Sequence, residues 1–266
     1  MTERLVPVLG GALAVDDPGG AGRPFLWAHG LTSSRAAEDD AGLFAFADLP
    51  GVRTVRYDAR GHGASPGPPD EAAYRWPVLA TDLLALLDAL DLDRAAVGGA
   101  SMGCASALLA TLAAPERVDR LVLVIPPTAW ETRAAQAEWY RADADLAAEV
   151  GPRRLAEMMA DRPPLAVHGA EGERLRLAAA ARMAAMDGAL FPHVLRGAAG
   201  SDLPDPVTLA AIDQPALVLA WAGDPGHPAS TAERLGEALP AAEVHVAEDL
   251  TAIRTWPDRV RDFLVA

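Results

Sequence analysis

A serine between two glycines, Gly99-Ala100-Ser101-Met102-Gly103, is the stretch best suited to chemistry. A hydroxyl becomes an effective nucleophile only when it stands clear of the backbone, has a base to take its proton and faces donors for the oxyanion formed on attack. Glycines on both sides of the serine allow a turn from strand to helix too tight for Cβ atoms, a nucleophile elbow that lifts Oγ out of the sheet. The following helix then aims its free N–H groups at whatever bonds there. The flanks fit that context: an apolar run at 95–97 precedes the serine, leucines at helical spacing fill 78–90, and a helix-forming stretch at 104–114 stops at Pro115.

Three further stretches carry groups that could serve such a serine. His29-Gly30-Leu31 follows the apolar run 25–28, and Asp58-Ala59-Arg60-Gly61-His62-Gly63-Ala64-Ser65 follows the run 52–57. Gly223-Asp224-Pro225-Gly226-His227-Pro228 follows the run 215–221, and the remaining histidines are His168, His193 and His245. None of the histidines has the spacing of a metal site, so neither metal nor cofactor is expected. The lone cysteine, Cys104, allows no internal disulfide and reads as a small buried side chain in the helix after Ser101.

These residues need a scaffold, and 266 residues suit one large α/β unit. Residues 5–15 read as two short strands about Gly10-Gly11; Glu3, Pro7 and the glycines argue against a secretory signal, which makes the expected location cytoplasmic. A helix is expected over 39–49, another over 77–91, strands over 52–57, 95–100 and 121–125, and then the alternation lapses. From 126 to 212 helical stretches broken at Gly151-Pro152, Pro163-Pro164 and Gly188 replace it, before strands at 215–221 and 243–246 and helices at 230–239 and 257–264 resume it. The expected organisation is a core of 1–125 and 213–266 with a helical lid inserted at 126–212. A net charge of −14, with every basic residue an arginine and no basic run, excludes nucleic-acid and anionic-membrane partners. The expected partner is a small molecule, bound by a monomer or homodimer.

In this order the motifs resemble the α/β-hydrolase superfamily, in particular its lid-bearing bacterial esterases, haloperoxidase-like enzymes, proline iminopeptidases and carbon–carbon bond hydrolases. The resemblance implies a mostly parallel central sheet with helices on both faces. It also implies Ser101 as nucleophile, the backbone N–H groups of Leu31 and Met102 as oxyanion donors, and Asp224 as the acid that orients the base. His29 and Gly30 would shape the oxyanion loop, while Asp58, Arg60 and His62 would form a structural turn.

The family's base, about seven residues before the proline that opens the last helix, falls here on Leu250, between Asp249 and Thr251. His245 lies too early, inside a strand. His227 is the expected substitute, because in related proteins the residue three after the acid lines the pocket near the nucleophile. In the lid, His193 and Trp130 are further expected pocket residues. The resulting expectation is a serine-dependent hydrolase of a small, mostly apolar ester, lactone or thioester. The alternatives are a ligand-binding protein, lyase or cyclase without a working triad, and behind these a peptidase.

Overall fold

Side chains of the central strands alternate between two cores, as the two-residue period of a strand covered on both faces requires. Ala95 and Val97, Leu121 and Leu123, and Ala216, Val218 and Ala220 face one core; Ala96 and Ala100, Val122 and Val124, and Leu217, Leu219 and Trp221 face the other. In the computed structural model, which describes residues 4–266, these positions belong to one sheet of eight strands. In chain order the strands are β1 (Arg4–Val8), β2 (Gly11–Asp16), β3 (Arg23–Ala28), β4 (Val52–Tyr57), β5 (Ala95–Ala100), β6 (Val118–Val124), β7 (Ala216–Trp221) and β8 (Ala242–Ala247). Their spatial order is β1-β2-β4-β3-β5-β6-β7-β8. The β1–β2 hairpin joins β4 antiparallel and all other pairings are parallel. Residues 5–15 thus form the expected hairpin, while Glu3 lies outside the described residues.

The helices are α1 (Arg35–Ala41), α2 (Trp76–Ala89), α3 (Met102–Ala113), α4 (Arg133–Met159), α5 (Gly172–Ala184), α6 (Phe191–Ala199), α7 (Pro206–Leu209), α8 (Ala229–Ala238), α9 (Leu250–Ile253) and α10 (Trp256–Val265). Leucines of α2, α3 and α8 fill the first core; Trp256, Val260 and Leu264 of α10 fill the second with Phe25, Trp27 and Phe46. The helix expected over 39–49 lies earlier, because Ser34 caps it through Ala37 N–H (3.1 Å) and Gly42, at φ 62°, ends it. Beyond Gly42 the chain turns inward, and Phe46 packs edge-on against Trp27 with centroids 4.8 Å apart.

Between β6 and β7, α4 to α7 run without an intervening strand among the described residues. Arg133, at the start of α4, ties this insertion to the core. Its guanidinium donates to Ser201 O (2.7 Å), Thr128 Oγ1 (3.3 Å) and Ala198 O, and lies 4.4 Å from the Trp76 ring. At the opposite side, α5 packs on α1, and Arg174 donates to Ala41 O at 3.0 Å.

The α1 contact buries a carboxyl. Glu38 Oε2 accepts the Trp27 Nε1–H at 2.7 Å, and burial raises its pKa to about 7 against the opposing effects of that bond and of the Arg56 and Arg182 charges. A carboxyl that holds its proton more tightly when folded costs stability as pH rises: the unfolded chain ionises near 4.5 and the native one near 7, so stability falls across that window. Glu38→Gln removes the ionisation and keeps an oxygen for Trp27. The variant is expected to melt close to the parent at pH 5 and above it at pH 8, by up to about 2–3 kcal/mol, in thermal melts at the two pH values.

Candidate active site

Ser101 ends β5 and opens α3 at φ 50° and ψ −108°, a conformation that non-glycine residues rarely adopt. The neighbouring glycines are required by close approach. A Cβ on Gly99 would stand 2.4 Å from Ala28 O and 2.6 Å from Gly103 Cα, and one on Gly103 would stand 2.1 Å from Ala28 O. α3 therefore seats against the end of β3, which keeps the loop after β3 beside the serine. A Cβ on Gly30 in that loop would lie 3.5 Å from both Ala100 O and Ser101 Cβ. The Leu31 N–H follows directly, and the Met102 N–H opens α3, where no carbonyl four residues back belongs to the helix.

β7 lies two strands from β5, and the loop after it carries the acid and the histidine. His227 Nδ1–H donates to Asp224 Oδ2 at 2.7 Å, which leaves Nε2 to accept the Ser101 hydroxyl at 3.0 Å. Asp224 also accepts Trp221 Nε1–H at 3.0 Å and the Gly226 N–H at 2.8 Å. Burial by itself would raise the Asp224 carboxyl, but these three donors and the adjacent imidazole hold it far below the usual carboxylate range. An ionised Asp224 can fix the His227 tautomer and stabilise the imidazolium formed when Ser101 gives up its proton. Ser, His and Asp are thus joined in one chain of hydrogen bonds, with the serine exposed over 8 % of its surface.

A family model described as the α/β hydrolase fold matches residues 23–250. The chain belongs to the α/β-hydrolase family. It is similar to Esterase YbfF of Escherichia coli, 33% identical over 111 residues, a segment covering 41% of each chain. It is also similar to 3-oxoadipate enol-lactonase 2 of Acinetobacter baylyi, 37% identical over 108 residues that span 41% of this chain and 38% of that one. The matched segments are thus about two fifths of these relatives' length. A hydrolase from Pseudomonas aeruginosa superposes with a TM-score of 0.79 at 28% identity, covering 99% of this chain and 98% of that one.

Position 250 is a leucine at the start of α9, half-buried against the second core with Leu165 and Ala252. The short helix at 166–171 packs on α9, and the His168 ring meets the Trp221 ring edge-on, centroids 5.0 Å apart. Burial pushes the His168 imidazole below its ordinary pKa, partly offset by the Asp224 charge. His245 points elsewhere, bonding Glu243 Oε1 at 2.5 Å on the edge strand β8.

The remaining expected site residues divide. His29 is buried and fully engaged: Nε2 accepts the Ala59 N–H at 2.9 Å, so Nδ1–H donates to Gly30 O at 2.8 Å, bracing the loop beside Ser101. Asp58 binds the Arg35 N–H (2.8 Å) and side chain (3.1 Å) and the Ala64 N–H (2.9 Å), Arg60 pairs with Asp82 at 2.6 Å, and His62 Nδ1–H donates to Arg60 O at 2.9 Å. That turn serves its own framework. His193 is half-buried on α6 and, among the described residues, has no hydrogen bond to Ser101, Asp224 or His227.

Trp130 Nε1–H donates to Pro204 O at 3.0 Å and Arg234 of α8 lies 5.4 Å from its ring, and it lines a surface depression with Glu131, Ser230 and Arg234. Trp221, which donates to the acid, had no chemical signal in the sequence beyond ending an apolar strand. Cys104 is the buried residue its position implies: its thiol donates to Gly99 O (3.1 Å) and Val124 O (3.2 Å), and burial pushes its pKa far up. It is therefore a poor nucleophile.

Proposed function

We propose that the chain is a serine hydrolase of small, mostly apolar esters, lactones or thioesters. The observation that carries the reading is the 3.0 Å bond from Ser101 to an imidazole whose other nitrogen is held by Asp224. Similarity to an esterase and an enol-lactonase supports the class of bond. In this account Ser101 Oγ attacks the acyl carbon while His227 Nε2 takes its proton. The oxyanion rests on the Leu31 and Met102 N–H groups, each such donor contributing about 2.7–4 kcal/mol to the transition state. His227 then protonates the departing alkoxide or thiolate, the Ser101 acyl ester remains, and a water deprotonated by the same nitrogen releases the acid. Residues 126–212 form the lid over this site.

Purified protein incubated with 4-nitrophenyl butyrate and with γ-butyrolactone is expected to release nitrophenol or acid at a rate lost in Ser101→Ala. Equal turnover by the variant would reject the serine mechanism.

Trp221 supports the acid in this scheme. Trp221→Phe keeps the aromatic stack on Phe44 and Trp256, at 6.2 and 6.0 Å, and removes the donor to Asp224. A hydrogen bond to a charged group contributes about 1.5–3 kcal/mol, so kcat/KM is expected to fall about ten- to hundredfold in steady-state assays, mostly through kcat.

A further inference from the structure

Of the three donors to Asp224, two belong to its own loop, the Gly226 N–H and His227, and the third is the Trp221 Nε1–H at 3.0 Å. An indole donates in one direction within its plane, so this bond depends on how the ring is held. Phe44 and Trp256 stack on it, with centroids at 6.2 and 6.0 Å and planes within 18° and 15° of parallel. Stacked neighbours resist tilting of the indole but oppose its sliding in the plane only weakly. Two rings meet it at right angles: His227, 6.3 Å away and itself part of the triad, and His168, 5.0 Å away and the nearest of the four.

His168 comes from a different part of the chain. It lies in the short helix at 166–171 of the insertion between β6 and β7, whereas Ser101 follows β5 and Asp224 follows β7. Val167 beside it is buried in the second core, Leu165 packs on the same core, and the short helix rests on α9. The backbone therefore sets the ring against Trp221. The imidazole is itself buried, and its Nε2 has no hydrogen-bond partner. That nitrogen adds no bond to the contact, so what the residue supplies there is a flat ring in a fixed place. Burial also pushes its pKa down, which keeps the ring uncharged at neutral pH and leaves His227 as the imidazolium that Asp224 stabilises.

We propose that His168 is a positioning residue for hydrolysis: its ring holds the Trp221 indole where Nε1–H meets Asp224, so that the insertion completes the acid of the triad. The proposal rests on the serine-hydrolase reading for its kinetic arm and adds a dependence of the triad on residues 166–171. Removing the ring opens a space beside Trp221, the indole shifts into it, and Asp224 loses a donor. The imidazolium formed in the transition state is then less well held.

The test compares His168→Ala, His168→Phe, Trp221→Phe and the His168→Ala, Trp221→Phe double variant on 4-nitrophenyl butyrate. His168→Ala is expected to lower kcat about tenfold with KM within about twofold of the parent's, and His168→Phe, which restores a flat ring, to recover most of that loss. In the Trp221→Phe background the alanine substitution is expected to cost less than about twofold, because the bond it acts through is already gone. A tenfold fall in both backgrounds, an unchanged kcat in the parent background, or a loss that lies in KM would overturn the proposal. His168→Leu, which keeps the volume but not the flat ring, is read in the same way should His168→Ala not fold. The second arm is independent of turnover. The Trp221 indole N–H resonance, identified by its absence from Trp221→Phe, is followed for exchange with solvent. Exchange is expected to quicken about tenfold or more in His168→Ala and to return toward the parent's rate in His168→Phe. An unchanged rate in His168→Ala would overturn the positioning role. If no ester is hydrolysed and this difference holds, the serine-hydrolase reading falls and the positioning contact stands.

Discussion

His227→Ala is expected to lower kcat by about four to six orders of magnitude while leaving KM within a fewfold of the parent's, because it removes the group that takes the Ser101 proton in every chemical step. The size of the effect follows from the lack of a second base. His245 bonds Glu243, His29 has its ring nitrogens bonded to Gly30 O and the Ala59 N–H, and Leu250 packs half-buried against the second core. His168, the other ring near the acid, meets Trp221 and has no hydrogen bond to Ser101. Residual activity should therefore reflect only binding and the oxyanion donors. The Ser101→Ala, His227→Ala double variant should be no slower than either single one, since residues that act as a unit are non-additive.

Gly103→Ala carries the largest expected effect on stability. Its new Cβ would stand 2.1 Å from Ala28 O and 2.8 Å from Ala28 C, and both atoms are backbone, so no side chain can swing aside. α3 would have to lift from β3, breaking packing at Cys104, Ala105 and Leu108, all fully buried. Overpacking ordinarily costs about 1–3 kcal/mol, and a clash with the sheet itself should exceed about 4 kcal/mol, enough to leave little folded protein. Urea denaturation of Gly103→Ala beside Gly226→Ala checks this, since a Cβ at Gly226 meets nothing nearer than Asp224 Oδ1 at 3.3 Å.

The elbow was legible because its constraints are local: the glycines answer to Ala28, the serine to its own backbone, and both leave a mark in five consecutive residues. Asp224 and His227 were legible as positions after an apolar run, since β7 is buried at every residue and the loop beyond it must emerge at the end of the sheet where Ser101 stands. That end is where open α/β sheets gather their ligands. The end of α1 could not be read from hydrophobicity, because Leu43, Phe44, Phe46 and Leu49 are apolar for packing in the second core, Phe44 and Phe46 against Trp27, rather than for a helix. The surroundings of Trp130 were not legible for a related reason. An aromatic residue at the start of an insertion gives no sign of which way it faces, and here φ 51° turns the chain so that the indole meets Pro204 and Arg234. Trp221 owes its interest to what surrounds it in space, a partner three residues on whose role depends on His227.

The most direct test of the account is intact-mass measurement after incubation with a fluorophosphonate, which reacts with a serine only when a base activates it. The parent should gain one phosphonyl adduct, whereas Ser101→Ala should gain none and His227→Ala should label at least a thousandfold more slowly. A parent that does not label, or a His227→Ala variant that labels at the parent's rate, would contradict the claim that His227 and Ser101 form the catalytic pair.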